Sequence, residues 1–252
     1  MTSRTPLRPL PFVAGAADET PAIIVPILTA TPAEAVARAR EAAACESADL
    51  LEWRIDRYID ADRELPRLEE PHAQITGGRL PLLVTVRSVS EGGHCPDERY
   101  AEAVEAAIAL RPAAVDVEMG RGEAGRLLEA ASAAGVSTVV SAHAWDATPS
   151  AQQLDASFAL MAASGADVVK IAVKPQSTAD VLTLLGATAR AAETLDVPVI
   201  GIAMGELGRV SRLCGGEFGS AATFATVGEG SAPGQMTAEQ VSVVRSYLPR
   251  RS

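Results

Sequence analysis

A lysine lies in the middle of an apolar run rich in β-branched residues, ADVVKIAVKP, at positions 166–175. An ammonium group in a dry interior is unfavourable unless it is paired or loses its proton. A neutral amine adds to ketones and forms a Schiff base, an electron sink that acidifies the neighbouring carbon. Lys170 is therefore a candidate nucleophile. The alternative is a structural lysine that extends to water from a strand end or pairs with a buried carboxylate.

Charged and polar side chains recur in five successive apolar runs, mostly toward their C-terminal ends. In LLEWRID, at 50–56, charged residues alternate with apolar ones, so one face of a strand there is wholly charged. Each of these groups taken alone is expected at a solvated strand end or in an internal salt bridge. The repeated pattern favours a polar pocket instead. Its candidate members are Glu52, Arg54, Asp56, Arg87, Asp116, Glu118, His143 and Lys170.

His143 is the histidine best placed to act with Lys170. In a shared pocket, Arg54 and Arg87 would be cationic neighbours of the lysine, and both burial and like charge would lower its pKa. Removing a proton from the carbon beside a Schiff base needs a base, and His143 ends the run STVVSAHA one predicted strand away. The other two histidines fall in less regular segments. We therefore predict that His143 moves the protons.

Eight short apolar runs alternate with alanine-rich helical segments, several of which begin near Ser, Thr or Asp. Eight βα units in 252 residues predict an α/β fold, a (β/α)₈ TIM barrel. An open doubly wound sheet is the alternative, but the GxGxxG that usually follows its first strand is absent from TATPAEA. We predict a single domain over 1–252, in which 1–20 form an extension that caps the bottom of the barrel. The predicted strands cover 22–28, 48–56, 81–88, 113–119, 137–144, 167–174, 198–205 and 220–228.

Charge and composition exclude several classes of partner. A net charge of −10 and a pI near 4.9 repel polyphosphate, and no Lys/Arg run is present, so no nucleic-acid partner is expected. No run approaches the roughly 18 apolar residues of a membrane span, and the first 20 residues lack the apolar core of a leader peptide. We therefore expect a cytoplasmic protein without a membrane partner. Cys45, Cys95 and Cys214 are far apart and lack metal-ligand spacing, which predicts free thiols and no metal site.

Six stretches form a series with a specific order and spacing: LLEWRID, VTVRSVSEGG, SAHAWDATPS, DVVKIAVKPQSTADVLTLL, RVSRLCGGEFGSAATFATVG and SAPGQ. In this series the chain resembles the type I 3-dehydroquinases, Schiff-base enzymes of the shikimate pathway, from about residue 22 to the C-terminus. The resemblance implies a (β/α)₈ barrel that dehydrates 3-dehydroquinate to 3-dehydroshikimate. It also implies a homodimer with a small-molecule substrate and without a metal or organic cofactor.

The resemblance also implies roles for individual residues. Lys170 matches the Schiff-base lysine, His143 the proton-shuttling histidine, and Glu91 in SVSEGG the acid that orients this histidine. The chain departs from the family pattern at Pro26, where a serine is common, and at Ala144, where an aspartate is common. The residues that match substrate contacts are Glu52, Arg54, Arg87, Arg212, Ser231 and Gln235.

Two other functions are compatible with the same residues. A Schiff-base class I aldolase shares the barrel and the lysine, but it cleaves a carbon–carbon bond and usually binds a phosphate, for which GELG and CGGEFG are weak candidates. A non-catalytic, ligand-sensing barrel would keep the pocket without turnover, and the departures at Pro26 and Ala144 are compatible with it. Formation of an absorbing enone from 3-dehydroquinate distinguishes the three functions.

Overall fold

The structure is a computed structural model that describes residues 10–11, 20–61, 63–228 and 236–248. These residues form eight parallel strands, one within each predicted run. Most observed strands are shorter than the predicted runs, because the ends of the runs turn into loops. The strands are β1 (Ala22–Ile27), β2 (Leu50–Arg54), β3 (Leu82–Thr85), β4 (Ala114–Glu118), β5 (Ser137–Ala144), β6 (Val168–Val173), β7 (Val199–Ala203) and β8 (Ala222–Phe224).

A helix follows each strand, as the sequence pattern predicts. Four helices begin at a capping box, in which the hydroxyl of a Thr or Ser accepts a backbone N–H and the side chain three residues later bonds back. No helix in the described ranges is long and apolar enough to cross a membrane. The helices are α1 (Pro32–Ala44), α2 (Glu69–Thr76), α3 (Tyr100–Ala109), α4 (Ala124–Ala134), α5 (Ala151–Ala163), α6 (Thr178–Thr194), α7 (Arg209–Cys214) and α8 (Ala238–Ser246).

The sheet curls until its two ends meet. Parallel pairing runs from β8 through β1 to β7 in chain order. Between β7 and β8, the Ala221 amide donates to the Val199 carbonyl at 2.8 Å and the Gly201 amide donates to the Ser220 hydroxyl at 3.2 Å. The predicted (β/α)₈ barrel is therefore confirmed. The carboxyl ends of its strands share one rim, where the active sites of this fold are built.

Two apolar clusters form the core. One lies between the sheet and the helices and contains the fully buried side chains of Trp53 and Phe158. The other contains residues at the strand starts, such as Ala22 and Leu50. Leu10, which is 2 % exposed, belongs to this second cluster. Most of the predicted N-terminal extension lies outside the described residues, so its role as a cap stays a prediction.

Two local features differ from the sequence predictions. The charged face of β2 ends at Arg54 and does not reach Asp56, because residues Ile55–Tyr58 form a 3₁₀ turn. Asp56 accepts hydrogen bonds from the Arg54 guanidinium at 2.7 and 3.0 Å and from the His94 amide at 3.2 Å, which stabilise the turn. His72 lies in α2 rather than in an irregular segment.

Candidate active site

The even-numbered strands contribute four neighbouring side chains to the barrel interior. Nζ of Lys170 on β6 is 4.0 Å from Oε1 of Glu52 on β2 and 3.9 Å from Oδ2 of Asp116 on β4. It is also 4.6 Å from the ring centre of Phe224 on β8. Layers built from alternate strands are typical of this barrel. Here the layer is largely polar and leaves the lysine only 6 % exposed.

The surroundings of Lys170 shift its protonation equilibrium toward the neutral amine. Burial lowers the pKa of its ammonium group, Glu52 and Asp116 raise it, and Arg87 and Arg54 lower it again. The net shift is downward because desolvation outweighs two ion pairs that are longer than hydrogen bonds. This direction agrees with the sequence prediction, which named the two arginines but not the two carboxylates.

His143 lies beside Lys170 at the end of β5. The register between β5 and β6 places Ser141 opposite Lys170, and His143 is two residues further along the same strand face. Nδ1 of His143 is 2.8 Å from Oε2 of Glu91. The three residues predicted to be catalytic therefore line one cavity.

A short turn after β3 fixes the position of Glu91. Residues Val89–Glu91 form a 3₁₀ turn, and the Ser88 hydroxyl accepts the Glu91 amide hydrogen bond at 3.2 Å. Gly92 ends the turn with a φ of +79°, and a side chain there would overlap the ring of Trp145. The indole N–H of Trp145 donates to the Glu91 carbonyl at 2.9 Å. The backbone of Glu91 is thus held from both sides.

Burial shifts the pKa values of Glu91 and His143 in opposite directions. It raises the pKa of Glu91 to about 8, although the Arg87 guanidinium opposes the rise. It lowers the pKa of His143 well below its ordinary value, and Arg87 acts in the same direction. Below a pH of about 8 the pair therefore holds two protons, one shared between Oε2 and Nδ1 and one on Nε2. Loss of the Nε2 proton, with the shared proton on Nδ1, leaves a carboxylate facing an Nδ1–H, so Nε2 has a free lone pair and can act as a base.

Arg87 is a buried cation inside a cluster of carboxylates. Its guanidinium donates to Asp116 at 2.8 Å, to Glu118 at 3.0 Å and to the Ser141 hydroxyl at 3.0 Å, and it is 3.4 Å from Oε2 of Glu91. Burial lowers the pKa of Arg87, but the carboxylates raise it further, so the group stays charged. Arg87 holds these acids in place and also lines the cavity, and its predicted substrate contact stays a prediction.

Glu52 and Arg54 also line the cavity. Oε1 of Glu52 accepts a hydrogen bond from the Thr85 hydroxyl at 2.9 Å, and the Arg54 guanidinium is fixed by its two hydrogen bonds to Asp56. A carboxylate and a guanidinium supply the acceptors and donors that ligand hydroxyl groups need.

Arg212 in α7 brings a guanidinium group to the cavity wall. Its Nε is buried and has no hydrogen-bond partner within the part of the chain that the structure describes. A terminal guanidinium nitrogen lies 3.5 Å from the Phe224 carbonyl. Burial lowers the pKa of Arg212. Because a buried charge is costly without a counter-charge, this position favours a ligand that brings a carboxylate.

The cavity has a volume of about 220 Å³. Its apolar wall includes Pro26, Ile202 and Met204, so the departure from the family pattern at Pro26 lies in the site and offers no hydroxyl there. Ser231 and Gln235, both predicted substrate contacts, lie outside the described residues. Three predicted pocket members, Asp56, Asp116 and Glu118, are not among the described residues that line the cavity. The other predicted site residues all line it: Lys170, His143, Glu91, Glu52, Arg54, Arg87 and Arg212.

Phe224 and Trp145 had no role in the sequence analysis, and the partners of Asp116 were not predicted. Phe224 contacts the Lys170 amine, Trp145 holds the Glu91 backbone, and Asp116 lies between Arg87 and Lys170. Alternation in VDVEM did predict that Asp116 belongs to the polar face. The missing information was the identity of the side chains that other strands place opposite it.

Comparison with known proteins gives consistent matches. The family model for type I 3-dehydroquinase matches residues 23–249. A 3-dehydroquinate dehydratase of Shouchella clausii is 37 % identical over 250 residues, 96 % of this chain and 97 % of that protein. The crystal structure of 3-dehydroquinate dehydratase from Geobacillus kaustophilus has a TM-score of 0.82 and 35 % identity, with 90 % of each chain covered. A type I 3-dehydroquinate dehydratase from Clostridium difficile with covalently modified comenic acid has a TM-score of 0.82 and 31 % identity, over 90 % of this chain and 91 % of that one.

Proposed function

The chain belongs to the type I 3-dehydroquinase family, and from this premise we propose that it works through a Schiff base on Lys170, with His143 moving protons and Glu91 orienting His143. It is a hydro-lyase of the shikimate pathway that converts 3-dehydroquinate to 3-dehydroshikimate. The observation that carries the Schiff-base proposal is the buried Lys170 amine at the cavity wall, whose pKa is lowered. The covalently modified ligand of the Clostridium difficile relative supports it.

In this proposal the substrate carboxylate binds Arg212, the cavity-lining guanidinium whose Nε lacks a partner among the described residues. Carboxylates and guanidinium groups form strong paired hydrogen bonds. Ser231 and Gln235 are proposed to add hydrogen bonds to the substrate. Glu52 and Arg54 are proposed to bind the ring hydroxyls, because both already face the cavity.

The first covalent step joins Nζ of Lys170 to C3 of the substrate. The neutral amine donates its lone pair to the carbonyl carbon, and the C=O π electrons move to oxygen. The oxygen takes up two protons and leaves as water, while the nitrogen keeps one proton as an iminium. The iminium withdraws electrons from the C2–H bond, so the C2 proton becomes acidic.

His143 then removes the proton from C2 through Nε2 and gives a proton to the C1 hydroxyl, which leaves as water. A single group suits both transfers in a syn elimination, because the proton and the hydroxyl leave from the same face. Glu91 holds Nδ1 at 2.8 Å and so sets the tautomer that leaves Nε2 free. Hydrolysis of the product iminium frees Lys170.

The two other functions considered from the sequence are not favoured. The family model covers nearly the whole chain, and the relatives with 31 to 37 % identity are named as dehydratases. An aldolase or a ligand-sensing barrel would have to reuse this site for a different purpose.

We further propose a single barrel domain over 1–252 that functions as a cytoplasmic homodimer. The burial of Leu10 among strand starts supports an extension that caps the barrel, and three free thiols suit a reducing compartment. The dimer rests on the family resemblance. We also propose that no metal or organic cofactor takes part, since the iminium itself supplies the electron sink.

Borohydride reduction tests the Schiff base directly. Sodium borohydride added with substrate or product should reduce the iminium to a stable secondary amine on Lys170. The chain contains two lysines, and cleavage at arginine releases both on one peptide, residues 127–190. Fragment-ion mass spectrometry should locate the adduct on Lys170, with the exposed Lys174 unmodified. An adduct on Lys174, or none at all, contradicts the proposal.

Arg212→Ala should weaken substrate binding more than it slows the chemical step. Loss of a hydrogen-bonded charge pair should raise KM roughly 10- to 100-fold, while kcat changes by less than about tenfold. Steady-state kinetics measures both. The matched control is Arg209→Ala in the same helix, which removes an exposed arginine 3.7 Å from Glu206 and should leave KM unchanged. An unchanged KM with a collapsed kcat in Arg212→Ala would disprove the binding role.

A further inference from the structure

The two carboxylate oxygens of Asp116 differ in the hydrogen bonds that they accept from the described residues. Oδ1 accepts hydrogen bonds from Arg87 at 2.8 Å and from the Ser141 hydroxyl at 2.7 Å. Oδ2 is buried and, among the described residues, accepts no hydrogen bond. This free oxygen lies 3.9 Å from Nζ of Lys170. The residue as a whole is 1 % exposed, so an unsatisfied anionic oxygen there has a considerable cost.

The two carboxylates near Lys170 differ in what else they can reach. Glu52 lines the cavity and accepts a hydrogen bond from Thr85, so it can also contact a bound ligand. Asp116 is not among the described residues that line the cavity. Its free oxygen faces the lysine, and its bound oxygen is clamped by Arg87 and Ser141. The clamp holds Asp116 in one orientation.

We propose that Asp116 is the fixed counter-ion of the Lys170 nitrogen, a positioning residue that holds the amine and balances its positive charge before and after the Schiff base forms. The inference rests on the proposed function, because it concerns the same nitrogen. Asp116 does not exchange a proton or a bond in this role. It acts on Lys170 through charge, across the 3.9 Å gap.

Charge conservation explains why a fixed anion fits this nitrogen. An ammonium group and a ketone have the same total charge, +1, as the iminium and the water that they form. Two of the three ammonium protons end on the departing water and one stays on the iminium nitrogen. The positive charge leaves the nitrogen while the neutral amine attacks, and again when the C2–H electrons move onto the iminium, and it returns when the C1 hydroxyl leaves. An anion that stays in place therefore stabilises the iminium without having to rearrange.

Several charged groups besides Asp116 affect the Lys170 amine. Glu52 on β2 favours the protonated form, whereas burial and the guanidinium groups of Arg87 and Arg54 disfavour it. His143 on β5 is held neutral by its own burial. Without Asp116, only Glu52 would raise the pKa of Lys170, whereas Arg87 and Arg54 would still lower it. The pKa should therefore fall further, toward the neutral amine.

Trace acetylation with acetic anhydride at a series of pH values tests the proposal without substrate. In Asp116→Asn, the Lys170 acetylation rate near pH 7 should rise roughly tenfold, because the neutral amine is the reacting form and a nearby opposite charge is gone. The midpoint of labelling should move to lower pH. Lys174, on the same 127–190 peptide, is the internal reference and should keep its profile. In turnover, kcat should fall at least tenfold while KM changes less.

Glu118→Gln is the matched control, since Glu118 also pairs with Arg87 at 3.0 Å and no ion pair joins it to Lys170 in the described structure. The acetylation profile of Lys170 should then stay within about twofold of wild type, because this variant lacks the close charge contact. Asp116→Ser, a smaller neutral replacement, should repeat the Asp116→Asn shift and guards against misfolding of either variant. An unchanged Lys170 profile in the Asp116 variants, or an equal shift in Glu118→Gln, would overturn the inference.

The borohydride result separates this inference from the proposed function. If wild type is trapped on Lys170 but the Asp116 variants keep the wild-type acetylation profile, the Schiff base stands and the counter-ion role falls. If wild type is not trapped at all, the Schiff-base proposal falls, and the counter-ion role in the reaction falls with it.

Discussion

Lys170→Ala should lower kcat by roughly 10⁶-fold, the loss that follows removal of a catalytic nucleophile. Alanine cannot form the iminium, so the proton at C2 of the substrate is not acidified and His143 has no reactive carbon to act on. The chain has only one other lysine, Lys174, which is exposed. Enone absorbance measured with 3-dehydroquinate should stay at background, and borohydride should leave no adduct.

Lys174→Ala is the control for this result, because it removes the second amine of the chain. Turnover and trapping should both equal those of wild type. Circular dichroism should show that Lys170→Ala remains folded, since the change removes a buried charge from the barrel interior. Appreciable turnover in Lys170→Ala would rule out the Schiff-base mechanism.

His143→Ala should separate imine formation from dehydration. The amine of Lys170 remains, so the iminium still forms and borohydride should still trap it. Proton transfer loses its base and acid, so kcat should fall by roughly two to four orders of magnitude. Single-turnover kinetics and mass spectrometry measure the two steps on the same sample. If His143→Ala dehydrates at the wild-type rate, another group moves the protons.

The pH profile adds a second readout for the pair of His143 and Glu91. The base form requires loss of one of the two protons that the pair holds, and the pKa of Glu91 is raised to about 8. In wild type, kcat/KM should therefore rise with increasing pH and level off above about 8. This rise of kcat/KM with pH should be absent in His143→Ala. It should remain in His72→Asn, because His72 lies in α2 and does not line the cavity in the described structure.

The alternation of strands and helices was readable because each element carries its own local signal. Apolar runs of seven to nine residues predict strands that are covered on both faces, and Ser or Thr followed three residues later by Glu, Gln or Asp predicts where helices begin. The capping boxes at α1, α5, α6 and α8 meet this expectation. The strand ends were misplaced. At Asp56, for example, the chain turns where this carboxylate accepts two hydrogen bonds from the Arg54 guanidinium.

Most cavity-lining residues were also predictable, but for two different reasons. Lys170, His143 and Glu52 follow from charged or polar groups placed in apolar strands. Glu91 and Arg212 lie in a turn and a short helix, where a charged residue is ordinary, so only the family resemblance singled them out. The structure brings Glu91 to 2.8 Å from His143 across 52 positions of sequence.

The sequence by itself determined the strand alternation, the polar face of the strands and the unusual burial of one lysine, because each depends on neighbours within one element. The tertiary structure decided which charges meet. Lys170 is 54 positions from Asp116 and 118 from Glu52 in the chain, and the curled sheet brings both carboxylates to within 4.0 Å of its Nζ. Whether a buried amine keeps its proton depends on the balance of desolvation and Coulomb energy at those distances, so no local pattern could specify it.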